Sequence, residues 1–224
     1  MPLKILSWIL LLSSIGSGAA LAAEGCIVNQ VLGDVRVVRD GQPAMVKEND
    51  ILKKGDVLET GPDCKVDMSM NDLAGCRVLA SSRVEVMGWK PDNMSLSVSQ
   101  GNVILNLKKL PEGSSFKLET PSAVASVRGT QFWGRVESAP VNSWPVDKAF
   151  SSVTTFAVRE GEVQVLDKAS SRIFSLKKGG ALDIPKDGKT APFVRAALAG
   201  EMQAMEQAEE IHTHADSELL PFLL

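Results

Sequence analysis

Gly33-Asp34-Val35-Arg36-Val37 returns as Gly101-Asn102-Val103-Ile104-Leu105 and again as Gly161-Glu162-Val163-Gln164-Val165. Each copy pairs a glycine, free to bend the chain, with a run that alternates or is nearly continuous in apolar residues. A second phrase behaves the same way: Leu52-Lys53-Lys54-Gly55-Asp56-Val57-Leu58 returns as Leu176-Lys177-Lys178-Gly179-Gly180-Ala181-Leu182. Units of this kind hide their apolar faces only by stacking on one another.

The runs between these phrases have the period of strands. Val66-Asp67-Met68-Ser69-Met70, Val84-Glu85-Val86, Leu96-Ser97-Val98, Phe116-Lys117-Leu118 and Phe156-Ala157-Val158 all alternate. Val35-Arg36-Val37-Val38 is closed by Asp40-Gly41, a tight hairpin turn. The pattern predicts an all-β fold, a solenoid-like β-roll or sandwich of short strands, too irregular for a strict solenoid.

The flanks differ from this body. At the start, Lys4 precedes the apolar core Ile5–Leu12, and Ala20-Leu21-Ala22 fits the small-x-small rule for signal peptidase. The reading is a signal peptide over residues 1–23, cut after Ala22 or Ala23, then a β-domain over 24–186, and a helical segment with a tail over 187–224. An uncleaved anchor and a lipid on Cys26 are the alternatives, the second opposed by Glu24 in the lipobox position. No later segment is apolar enough to span a bilayer. The expected location is therefore periplasmic or secreted. From about Pro192 to Ala215 the chain is rich in good helix formers, and Val194, Leu198, Met202 and Met205 fall on one helical face. That face either packs on the β-domain or binds a partner. Between Val136 and Ser152 a long loop carries Trp144, read either as a plain insertion or as an exposed binding residue.

The chain has three cysteines, an odd number for an exported protein. Cys64-Lys65-Val66 and Cys76-Arg77-Val78 repeat one phrase, and if successive strands stack as rungs their sulfurs become neighbours. Cys64–Cys76 is the preferred disulfide. Cys26 pairing with either, or three reduced thiols, are the alternatives.

The most specific stretch is Thr120-Pro121-Ser122-Ala123-Val124-Ala125-Ser126-Val127-Arg128-Gly129-Thr130-Gln131-Phe132. Pro121 suits the start of an edge strand. Arg128 offers planar donors to backbone carbonyls at a bend that Gly129 permits. Thr130 and Phe132 resume a strand. Together with Gly33-Asp34-Val35, Lys54-Gly55-Asp56-Val57-Leu58 and Thr60-Gly61, this stretch resembles the FecR family domain over about Val31 to Val165. The resemblance implies an exported, solenoid-like β-domain. In the family's regulators that domain relays outer-membrane signals to a sigma-factor partner. Here a signal peptide stands where those regulators have a membrane helix, and their cytoplasmic helical domain has no counterpart. The resemblance thus speaks more for fold and compartment than for signalling, and Arg128-Gly129-Thr130 is read as structural, with partner docking as the alternative.

Composition narrows the chemistry. A net charge of −3 speaks against a dominant nucleic-acid role. With two histidines and no tyrosine, the acid–base inventory is thin. His212 and His214 lie two apart and do not share a helix face. No serine has a nearby histidine, and no acidic pair or phosphate loop stands out. Lys53-Lys54, Lys108-Lys109 and Lys177-Lys178 read as solvated turn charges. The expectation is a protein with no catalytic, cofactor or metal residues and no cofactor. It is either a binding or scaffold module for an unknown protein or envelope component, or a periplasmic part of FecR-type signalling.

Overall fold

The structure, a computed structural model, describes residues 25–137 and 153–208. In chain order the strands are β1 (Cys26–Leu32), β2 (Val35–Arg39), β3 (Gln42–Met45), β4 (Ile51–Leu52), β5 (Val57–Thr60), β6 (Lys65–Met70), β7 (Ala74–Val78), β8 (Arg83–Lys90) and β9 (Asn93–Leu107). They continue as β10 (Phe116–Glu119), β11 (Ala123–Val127), β12 (Gln131–Glu137), β13 (Val153–Glu160), β14 (Glu162–Asp167), β15 (Ile173–Lys177), β16 (Gly180–Pro185) and β17 (Phe193–Ala196). One helix follows, α1 (Ala199–Glu206).

Backbone pairing arranges these strands in two layers. The first runs β4–β1–β6–β7–β9–β12–β13–β16–β17. The second runs β3–β2–β5–β8–β9–β10–β11–β14–β15. All pairs are antiparallel except β9–β10. Both layers include β9, and they do not close into a barrel. The fold is all-β with a C-terminal helix.

The two runs read as separate strands around Gly101 are one strand. β9 pairs in the second layer through Gln100 and in the first layer from Gly101 onward. The switch happens at Gly101, whose φ is 89°. A Cβ there would stand 2.1 Å from Ser82 Oγ and 2.4 Å from Ser82 Cα. Only glycine fits both the angle and the space.

The core lies between the layers. Phe116 and Leu118 face it from the second layer, Leu105, Phe132 and Phe156 from the first, and all are fully buried. Each contributes roughly 1.5–3 kcal/mol by leaving water. At Gly134 the layers touch closely, since a Cβ there would meet Leu118 Cδ2 at 2.6 Å.

A smaller cluster lies on the outer face of the first layer. There α1 places Met205 over Ile104, Trp133, Ala157 and Ala181. The C-terminal stripe read as one helical face is thus divided. Val194 belongs to β17 and Leu198 precedes α1, and they are 59% and 57% exposed, while Met205 is fully buried and Met202 half-buried. Residues 193–196 form a strand because they extend the first layer by pairing with β16. The local propensity of helix formers yields there to sheet pairing.

The cysteines also depart from expectation. Cys26, Cys64 and Cys76 are all unbonded and buried. β6 and β7 form an antiparallel hairpin in which Cys76 faces Met68. Cys64 precedes β6 at the far end of that hairpin, about four residues or 13 Å along the strand. The repeated phrase runs in opposite directions in the two strands, so its cysteines diverge. Burial, with Asp56 nearby, pushes the Cys26 thiol up to about 12. A sulfur fully enclosed in β1 is also no site for a lipid, which would have to be drawn out of the core.

Candidate functional site

The signature stretch spans β10 to β12 and crosses from the second layer to the first. Pro121 sits exposed in the β10–β11 turn, between two interior strands and not at the start of an edge strand. A turn position needs no ladder N–H, which is what proline lacks. Thr120 beside it is buried. Its hydroxyl donates to Ala123 O and accepts from Ala123 N, both at 3.1 Å. Thr154 in β13 donates to Thr120 at 3.3 Å, and Ser122 donates to Thr154 at 2.7 Å. This chain of hydroxyls laces the two layers at one end of the signature.

At the other end, Gly129 and Thr130 perform the same task. Thr130 Oγ1 donates to Glu162 O at 3.1 Å, and Leu107 N donates to Thr130 O at 3.1 Å. Leu110 N donates to Arg128 O at 3.1 Å. Gly129 has a φ of 142°, and a Cβ on it would press to 3.1 Å from Lys109 Cα. Gly161 packs so tightly behind it that its own Cβ would lie 2.7 Å from Gly129 O. Phe132 then enters the core.

Arg128 does less than its donors allow. It is exposed, and its Nε donates to Ser114 O at 3.0 Å. With Leu107, Lys109, Gly129, Thr130 and Glu162 it lines a shallow cleft of about 420 Å³. The cleft offers two cations and one carboxylate around backbone. Among the described residues no three His, Cys, Asp or Glu side chains gather as metal ligands. Among them also, no helix is long and apolar enough to cross a membrane. Trp144, His212 and His214 lie outside the described residues.

The sequence reading missed the polar set on the outer face of the first layer. Arg195 in β17 holds Asp183 through Nε at 2.5 Å and Glu201 through two nitrogens at 2.5 and 2.9 Å. Thr155 donates to Asp183 at 2.6 Å, and Leu198 N donates to Glu201 at 2.7 Å. Burial alone would raise the Glu201 carboxyl, but Arg195 and the Leu198 N–H outweigh it and hold it below its ordinary value. Arg77 Nη1 and Gln131 Nε2 donate to the carbonyls of Gln207 and Met205, fastening the far end of α1. The only available signal was Gln131, Arg135 and Glu137 on one face of β12 and the lone Asp183 of β16, which mark an outward face but not what covers it.

A two-layer β-module whose glycines and threonines lock a shared bend is the class these features define. Residues 56–164, just under half of the chain, match the family model described as FecR protein. The match begins after the Gly33-Asp34-Val35 phrase, whereas the sheet itself starts at Cys26. The fold is shared with two crystal structures of a protein described as a candidate anti-sigma factor from Parabacteroides distasonis. Each aligns with a TM-score of 0.52 at 14% identity, over 67% of this chain and 64% of that one. The chain thus spans less than two thirds of that protein's length, and the likeness is one of fold. No curated protein matches the chain.

Proposed function

We propose that this chain is a non-enzymatic FecR-type module that works in the periplasm or outside the cell and binds a protein or envelope component. One observation carries the reading. The family signature is consumed in holding the layers together, with Thr120, Thr130 and the backbone around Gly129 all engaged internally. What remains for function is surface, and surface of this kind serves recognition. The leader-like start, Lys4 to Ala23, supports export. Expression of the whole chain followed by cell fractionation tests the compartment. The product is expected in the periplasm or medium, shortened at Ala22 or Ala23. A full-length product in the cytosol would overturn this part.

A second reading is a component of FecR-type signal transduction. The family match supports it, together with the fold shared with a candidate anti-sigma factor. Deletion separates the two. A signalling component changes transcription and co-purifies with a membrane receptor. A binding module leaves transcription largely unchanged and co-purifies with envelope material.

A further inference from the structure

Among the described residues the two layers end in four edges, and they are not alike. β3 carries Pro43, which has no N–H to offer, and β4 has two residues. In β17, Phe193 already has an interaction partner. β15 is different. It pairs with β14 on one side, and among the described residues β16 pairs with β13 and β17 and no register joins a strand to the other side of β15. Its outward Ile173 is 69% exposed and sits opposite Leu166, itself 39% exposed. On its inner side Leu176 is buried and Phe174 half-buried at the margin of the core. At its Lys177 end the edge opens into a cleft of about 710 Å³ bordered by Leu176 and Val194.

Charge selects what fits there. In a chain of net charge −3, the segment 168–178 holds Lys168, Arg172, Lys177 and Lys178 and no acidic residue. Lys168 is paired with Glu119 at 2.7 Å. Lys177 and Lys178 are exposed at one end of the edge, with Glu162 opposite Lys177 on β14, and Arg172 is exposed at the other end, its guanidinium 5.3 Å from the centre of the Phe174 ring. A second copy of the chain is a poor occupant. Antiparallel pairing about Ser175 would set Arg172 against Lys178 of the second copy, twice over, and like charges directly opposite are destabilising.

We propose that β15 accepts an extended segment of a protein partner as an added strand, and that this segment alternates apolar and acidic residues. Apolar side chains on one of its faces cover Phe174 and Leu176. Carboxylates on the other meet Lys177 and Lys178, and one at the end of the segment meets Arg172 beside the Phe174 ring. Main-chain hydrogen bonds to the open edge supply affinity, and the cations supply selectivity. The inference rests on the reading of the chain as a protein-binding module and gives that module a surface.

The test uses the full chain and two synthetic peptides, one with valines alternating with glutamates and one with lysines in place of the glutamates. The glutamate peptide is expected to bind at least about tenfold more tightly, more weakly as salt rises, with slowed amide exchange at residues 173–177. The combined substitution Arg172→Glu, Lys177→Glu, Lys178→Glu is expected to invert the preference. Equal binding of both peptides, no binding of either at millimolar concentration, or protection confined to another strand would overturn the proposal. The salt dependence and exchange pattern of the unsubstituted chain decide the matter even if the reversed variant does not fold. A natural partner retained by a folded reversed variant would discard the edge and keep the module. Failure of the unsubstituted chain to hold any partner would discard the module reading, and the peptide titration would still judge the edge.

Discussion

The signature turn in the middle of the molecule and the C-terminal end from β15 to α1 are built on opposite plans. Around Gly129 and Gly161 backbone packs on backbone, and the threonine hydroxyls are spent on internal partners. At the C-terminal end, Arg195 binds Asp183 and Glu201 across the outer face, while Lys177, Lys178 and Ile173 stand in solvent. One region is fixed by shape and the other largely by charge. The difference teaches that in this chain Thr120, Gly129 and Thr130 are taken up by packing, so recognition is to be sought where the packing leaves off.

Substitutions can break this contrast or sharpen it. The largest effect is expected from Gly101→Ala, which adds a Cβ against Ser82 at a left-handed backbone position. A loss of about 3 kcal/mol or more is expected in chemical denaturation. A near-neutral result would mean that β9 does not switch layers there. Thr154→Val removes the middle of the hydroxyl chain and leaves the Ser122 and Thr120 hydroxyls short of a buried partner. The expected cost is about 2 kcal/mol, with the fold otherwise intact.

Glu201→Gln probes the charge-held end. It weakens a contact between a carboxylate that is 3% exposed and a guanidinium that is 21% exposed, at a cost of about 1–2 kcal/mol. The sign with pH follows from the lowered carboxyl. A group whose folded value lies below its unfolded one stabilises the fold above the unfolded value and loses that contribution as pH falls through the folded one. Acidification below about 4.5, the ordinary value of a glutamate, should therefore loosen α1 in the native chain. In Glu201→Gln this part of the pH response should vanish, which amide exchange of α1 would show. Asp56 adds a response of the same sign. Burial raises its carboxyl, but Arg39 at 2.6 and 2.8 Å and the Lys53 N–H at 2.7 Å bring it below its ordinary value. Arg128→Ala should have the smallest effect, under about 1 kcal/mol, since its side chain is exposed and makes one hydrogen bond, to Ser114 O.

The same contrast explains what could be read in the sequence. The strands of the middle were legible because one buried face writes a period of two, as in β8, β10 and β14. Asp40-Gly41 announced its hairpin, and both residues do have positive φ. The shared strand β9 was not legible as one strand. Gly101 reads as a turn, and nothing local says that the chain straightens again in another layer. The cysteine pairing failed because a repeated phrase carries no information on strand direction. Val194 and Leu198 were placed on a helix because composition there favours one, while the deciding influence, the waiting edge of β16, is remote in sequence. Arg128 was expected to serve several carbonyls and serves one, because Leu107, Leu110 and Thr130 satisfy the bend through their own backbone.

The central claim, that the signature holds the fold while binding lies elsewhere, is tested most directly by one comparison. The native chain and Arg128→Ala are used at equal folded concentration to capture proteins from envelope extract, and the captured proteins are quantified. Identical capture by both is predicted. A stably folded Arg128→Ala chain that loses the partner held by the native chain would contradict it.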